Sequence, residues 1–161
     1  HLYGIEMIGL RFFTVYGTWG RPDLALFKFV KNILAGKPIH VYNRGKMKRS
    51  FTHIKDIVAG ILAIPSQKPR GRNEIYNLGG NEAVPLLDFI KLIEKEVGKK
   101  AKKNLMPMHA GDVRDTIADW SKAKRDLGFE PKTSIRDGIA EFVQWFHNNE
   151  KFLNSLSEPR Q

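Results

Sequence analysis

Cysteine is absent from the 161 residues, so neither a disulfide framework nor a thiolate zinc site is available. No apolar stretch approaches the ~20 residues that a membrane-spanning helix requires. The first residues also lack the basic, apolar and small-residue order of a signal peptide. Together these absences point to the cytoplasm. Acidic residues are scarce, 17 Asp and Glu against 27 Lys and Arg, for a formal net charge of +10. Such an excess favours anionic partners: nucleic acid, a membrane surface or a phosphorylated metabolite. A strand–Gly-x-x-Gly-x-x-Gly–helix turn, a Walker lysine motif and a nucleophile elbow are all missing. Internal repeats, low-complexity segments and long linkers are missing too.

What is present reads as one α/β unit. Hydrophobic residues at 42% and charged residues at 27% are ordinary for a globular chain with a real core. Residues 6–15 are mostly apolar (Met7, Ile8, Leu10, Phe12, Phe13, Val15), as in a strand covered on both faces. Pro22-Asp23 opens a helix with Leu24, Phe27, Val30, Ile33 and Leu34 at helical spacing and Gly36 as its stop. A strand over 39–42 ends at an Asn43-Arg44-Gly45 turn, and a second helix carries Ile54, Ile57, Val58, Ile61 and Leu62 up to Pro65. A Pro/Gly/Arg loop over 65–72 leads to a strand at 74–78. A third helix follows, with Leu86, Leu87, Ile90, Ile93 and Val97 on one face and Gly98 as its stop. Residues 104–108 suit another strand. Asp119 or Ser121 caps a short helix ending at Leu127-Gly128. Ser134-x-x-Asp137 forms a capping box for a last helix that turns Ile135, Ile139, Phe142, Val143 and Phe146 inward. The tail from Asn154 reads as frayed.

Most motif-like spacings have ordinary explanations. Tyr42 and Lys46 stand four apart, but Asn43-Arg44-Gly45 between them makes a turn rather than the helix that would let the lysine lower the tyrosine pKa. Leu78-Gly79-Gly80-Asn81 follows a strand yet lacks a third glycine, so it reads as a tight turn. The histidines (His1, His40, His53, His109, His147) show no metal-ligand spacing, and His53 reads as a structural residue. Asp112, Asp115 and Asp119 suit caps and ion pairs to Arg114 or Lys122, and Lys99, Lys100, Lys102 and Lys103 a solvated loop. No catalytic residue and no metal site are expected. A second basic cluster, Arg44, Lys46, Lys48 and Arg49, stands just before the strand-like Phe51-Thr52. Arg49 there and Arg21, at a glycine-rich turn beside a helix start, are suitable donors to a diphosphate, which asks for planar, multi-donor cations.

Three groups of residues carry a family resemblance. The first is Leu10-Arg11-Phe12-Phe13-Thr14-Val15-Tyr16-Gly17 with Gly20-Arg21-Pro22-Asp23-Leu24-Ala25-Leu26-Phe27. The second is Tyr42-Asn43-x-Gly45-Lys46-Met47-x-Arg49-x-Phe51-Thr52 with Asp56-Ile57. The third comprises Tyr76-Asn77-Leu78-Gly79, Gly111-Asp112-Val113 and Ala118-Asp119. In this order they resemble the C-terminal half of the extended short-chain dehydrogenase/reductase nucleotide-sugar epimerases, most closely the branch acting on UDP-glucuronate at C4.

The resemblance implies the C-terminal part of an extended Rossmann-type fold: the last strand or strands of its parallel sheet plus a small substrate-binding α/β domain. Residues 1–161 would form a single partial unit, with the NAD-binding portion absent. That portion would hold the glycine fingerprint and the helical Tyr-x-x-x-Lys, so the chain as it stands is expected not to catalyse. Thr14 and Arg21 would lie near the hexose and its carboxylate, and Ala25 and Phe29 near the uridine end. Val41 and Tyr42 would line the uracil, Arg49 would hold the diphosphate and Asp112 the ribose hydroxyls. Backbone at Phe12 and Phe13 would approach the nicotinamide. The intact enzyme would oxidise C4 by hydride transfer to NAD, rotate the 4-keto sugar and return hydride to its other face. A homodimer is implied; a nucleic-acid or membrane partner is not. UDP-glucose 4-epimerase and UDP-glucuronate decarboxylase are the neighbouring alternatives, and a basic nucleic-acid-binding module is the alternative from another class. Three positions depart from the family pattern: Ser50 between Arg49 and Phe51 where Asp is usual, His109 where Gln or Arg is frequent, and Arg114-Asp115 where Pro-Ala is common.

Overall fold

A computed structural model describes residues 2–66, 73–80 and 82–155. In chain order they form β1 (Met7–Phe12), β2 (Thr14–Tyr16), α1 (Ala25–Leu34), β3 (Ile39–Val41), β4 (Lys48–His53), α2 (Ile54–Ala63), β5 (Asn73–Leu78), β6 (Ala83–Pro85), α3 (Leu86–Val97), β7 (Lys103–Leu105), β8 (Asp115–Thr116), α4 (Ser121–Leu127), α5 (Ile135–Asn148) and α6 (Glu150–Ser155). One-turn 3-10 helices at Tyr42–Gly45 and Ile64–Ser66 follow β3 and α2. Residues 67–72 of the expected loop, Asn81 and residues 156–161 of the tail lie outside the described residues. The start of that tail is helical, in α6.

The single strand expected over 6–15 is two strands. At Phe13 the chain changes partner: its N–H donates to the Leu78 carbonyl at 3.1 Å. Before it, β1 runs parallel to β5 from Met7↔Asn73 to Phe12↔Leu78; after it, β2 runs parallel to β4 from Thr14↔Phe51 to Tyr16↔His53. Burial on both faces is not observed either. Ile8 and Leu10 pack on Ile57, Tyr76, Leu78, Leu127 and Phe129, whereas Met7 is 51% exposed on the other face. Strand residues alternate between faces, and within this chain only one face of β1 is covered.

Strand β4 joins the rest. Its first half pairs antiparallel with β6 and parallel with β8, while β3 pairs parallel with β7. A larger core forms where α1, α3 and α5 pack together, with Val30, Ile33, Phe89, Ile90, Ile93, Ile139 and Phe142 nearly inaccessible. Helix stops and starts follow local chemistry. Gly98 (φ 72°) and Gly128 (φ 65°) end α3 and α4 in the left-handed conformation that glycine tolerates best. The Ser134 hydroxyl accepts the Asp137 N–H at 3.1 Å at the head of α5, as the capping-box spacing predicts. At α4 it is Asp119, two residues ahead of the helix, whose carboxylate accepts the Ser121 N–H at 3.0 Å. Helix α1 begins at Ala25 rather than Pro22, because Arg21 engages the Asp23 carboxylate and Leu24 stands at the N-cap without a side-chain cap.

The lysines after α3 are more structured than a solvated loop. Lys103 opens β7 and binds the buried Glu94 carboxylate, which also accepts the Ala101 N–H at 2.9 Å. Lys99 donates to the Leu34 carbonyl at 3.0 Å. No helix among the described residues is long and apolar enough to cross a membrane.

Candidate functional site

A cavity of about 220 Å³ opens beside the larger core. That is room for far more than a few waters, each of which needs roughly 10–15 Å³ by the same kind of measure. Several stretches of chain wall it, α5 with Phe142 among them. The β2–α1 segment contributes Thr14 through Gly17, Gly20, Arg21, and Leu24 through Phe27 with Phe29; β3 and the turn after it contribute His40, Tyr42 and Met47. Arg49 and Phe51 of β4 form the floor with Val84 and Leu86, and Asp112 closes the side next to Arg49.

The polar groups sit at the edges of this largely apolar wall. The Arg49 side chain is 20% exposed; its Nη2 donates to Asp112 Oδ1 at 3.0 Å and its Nη1 to the Arg114 and Lys48 carbonyls, each at 3.0 Å. Arg21 is 75% exposed and forms a fork with Asp23, its Nε donating to Oδ1 at 3.0 Å. That hydrogen bond holds the Asp23 carboxyl below its ordinary range. Helix α1 has no side-chain cap and no acid in its first turn, and Leu24 and Ala25 at its positive end line the cavity. The Tyr42 ring meets His109 edge-on at 6.0 Å. Burial first, then the negative fields of Asp56, Asp137 and Glu141, push the Tyr16 phenol well up, so it stays protonated at neutral pH. The phenol donates instead to the Ser134 carbonyl at 3.3 Å. Chemically, the cavity matches a ligand with an anionic stretch and an apolar or aromatic end.

Of the residues singled out in the sequence, Thr14, Arg21, Ala25, Phe29, Tyr42, Arg49 and Asp112 all border this cavity. Val41 does not. Its side chain is fully buried in the core, and the alternation of β3 turns His40 toward the cavity instead. That period-two pattern was the available signal for His40; Met47, Val84 and Leu86 carried none. Phe12 and Phe13 lie at the β1–β2 junction, away from the cavity wall. Tyr42 and Lys46 stand in and just after a 3-10 turn with Asn43 and Arg44 at positive φ, so they do not share a helical face.

A dinucleotide pyrophosphate would need an open glycine cradle. Gly79 and Gly80 do not form one: a Cβ on Gly79 would meet Ala118 Cβ at 2.2 Å, and one on Gly80 the Phe51 carbonyl oxygen at 2.2 Å. Both glycines serve close packing. Among the described residues no cluster of His, Asp or Glu is arranged to hold a metal ion. His53 is buried, with Nδ1 accepting the Lys55 N–H at 3.4 Å at the head of α2. The hydroxyl of Ser50, the residue expected to depart from the resemblance's pattern, donates to the Gly80 carbonyl at 2.8 Å.

Residues 1–79 match the NAD dependent epimerase/dehydratase family. Over 156 residues the chain is 56% identical to an uncharacterized protein of Methanocaldococcus jannaschii, spanning 97% of this chain and 47% of that one. It is 43% identical over 157 residues to a UDP-glucuronate 4-epimerase of Thermodesulfobacterium geofontis, spanning 97% and 48%. Its fold matches the crystal structure of UDP-glucuronic acid 4-epimerase from Bacillus cereus in complex with UDP-glucuronic acid and NAD. The TM-score is 0.85 at 36% identity, over 89% of this chain and 46% of that one. The chain thus spans about half the length of the curated relatives it matches. These likenesses bear out the α/β fold expected from the sequence.

Proposed function

We propose that the chain is a member of the NAD dependent epimerase/dehydratase family, which its residues 1–79 match, and the UDP-sugar-binding portion of a UDP-glucuronate 4-epimerase. The observation that carries this reading is the convergence of Thr14, Arg21, Ala25, Phe29, Tyr42, Arg49 and Asp112 on one cavity. In the proposed complex Arg49 bonds the diphosphate and Asp112, beside it, the ribose hydroxyls. Tyr42 and His40 flank the uracil, with Ala25 and Phe29 at the uridine end. Thr14 and Arg21 meet the hexose and its carboxylate. Each charge-assisted bond to an arginine contributes about 1.5–3 kcal/mol.

Hydride chemistry at C4 would be the part of NAD. Backbone at Phe12 and Phe13 would approach its ring, but Gly79 and Gly80 are filled by packing and offer its pyrophosphate no cradle. The cofactor's phosphates and the acid–base pair would then fall to residues outside these 161, and this chain would have no turnover of its own. Its task is to hold the sugar. A 4-keto uronate is β-keto to its carboxylate and loses CO₂ readily, so fixing that carboxylate on Arg21 favours epimerisation over decarboxylation.

A second reading, a UDP-glucose site, is favoured by the fork between Arg21 and Asp23, which neutralises the cation that a uronate would need. Calorimetric titration with UDP-glucuronate, UDP-glucose and single-stranded DNA separates the readings. Saturable binding that prefers the uronate supports the proposal, and equal affinity for both sugars supports the second reading. Salt-sensitive DNA binding without any sugar-nucleotide response would support the basic-module alternative.

A further inference from the structure

Trp19 adopts φ 59°, a left-handed backbone conformation that a bulky side chain occupies only when its surroundings hold it there. It sits in the turn that supplies Gly17, Gly20 and Arg21 to the cavity wall. Its ring meets Trp145 edge-on at 5.2 Å and Phe152 edge-on at 6.1 Å. Trp145 in turn tilts against Phe142 at 5.3 Å, and Phe142 lines the cavity. The Trp145 Nε1 is buried without a hydrogen-bond partner among the described residues, so packing rather than hydrogen bonding orients that indole. Arg21, by contrast, is exposed and bonds within its own turn, to Asp23. Where its guanidinium stands is therefore set by the turn.

We propose that Trp19 is a positioning residue: its ring, 69% exposed but resting edge-on against Trp145 of α5 and Phe152 of α6, holds the turn so that Arg21 borders the cavity. Helix α6, remote from the nucleotide, thereby becomes a determinant of selectivity for an acidic sugar. This rests on the reading of the cavity as a UDP-uronate site. The ring contacts offset the strained backbone, and the strained backbone fixes the direction in which the chain leaves toward Arg21.

The test compares Trp19→Ala, Trp19→Gly, Trp19→Phe and Phe152→Ala with the parent chain, in two measurements. Amide hydrogen exchange over residues 17–23 is followed without ligand, and dissociation constants are measured for UDP-glucuronate and for UDP. Loss of the ring or of Phe152 speeds exchange in the turn about tenfold or more and weakens UDP-glucuronate about tenfold, while UDP shifts by less than about twofold. Trp19→Phe, which keeps an aromatic ring, stays close to the parent. Trp19→Gly relieves the backbone yet loosens the turn as Trp19→Ala does. Where the parent binds UDP-glucuronate, unchanged exchange in Trp19→Ala and Phe152→Ala overturns the positioning role alone, as does equal weakening of both ligands. A parent that binds neither nucleotide overturns the functional reading, and the selectivity role with it.

Discussion

The Arg49 guanidinium stands 3.0 Å from the Asp112 carboxylate, and a second of its nitrogens donates to the Arg114 carbonyl, so residues far apart in the chain meet on one side of the cavity. The pair sets a cation with a defined orientation where the proposed diphosphate lies. Arg49→Ala should weaken UDP by about tenfold or more, since at least one charge-assisted bond of about 1.5–3 kcal/mol is lost. Asp112→Asn should change unfolding stability by no more than about 1 kcal/mol, because the carboxylate is 36% exposed and such pairs are weak in water. Titration with UDP and urea unfolding check the two values.

Two buried groups predict how stability depends on pH. Burial pushes the His53 imidazole below its ordinary 6.5, so the folded state takes up its proton less readily than the unfolded chain. Stability from this group is present above 6.5 and is lost as the pH falls below it. Burial alone would raise the Glu94 carboxyl, but Lys103, the Ala101 amide and Lys100 together pull it below its ordinary 4.5. That contribution is present above 4.5 and disappears as the pH drops through the lower folded value. Urea unfolding should show a first loss setting in as the pH falls through 6.5, absent in His53→Asn. A second loss below about pH 4.5 should be absent in Glu94→Gln.

Gly138 lies in α5, where alanine would ordinarily favour the helix by up to about 1 kcal/mol. Here a Cβ would stand 2.2 Å from the Tyr16 hydroxyl, against a buried ring that also lines the cavity. Overpacking of about 1–3 kcal/mol should win, so Gly138→Ala lowers the thermal midpoint. Pairing it with Tyr16→Phe, which removes the clashing oxygen, should restore part of the loss.

Much of this arrangement was legible in the residues. Helical spacing of apolar side chains, the Ser134–Asp137 box and the stops at Gly98 and Gly128 each act over one or two turns of chain, so local chemistry settled them. The break at Phe13 was not legible, because it arises from partners at Leu78 and Phe51, distant in sequence. Strand β8, two residues long, is too short to carry a period-two pattern, and all three residues of β6 are half-buried, without alternation. For the site, arginine chemistry and family motifs brought out Arg21 and Arg49, but side-chain direction mattered within β3. Val41 turns into the core and His40 out of it, which the alternation from Ile39 already implied.

Whether Arg21 reads the carboxylate of an acidic sugar is decided by the affinity ratio between UDP-glucuronate and UDP-glucose before and after Arg21→Ala. The substitution should weaken UDP-glucuronate by about tenfold or more and UDP-glucose by less than about twofold, collapsing the preference. Equal losses for both sugars, or a preference that survives the substitution, would contradict it.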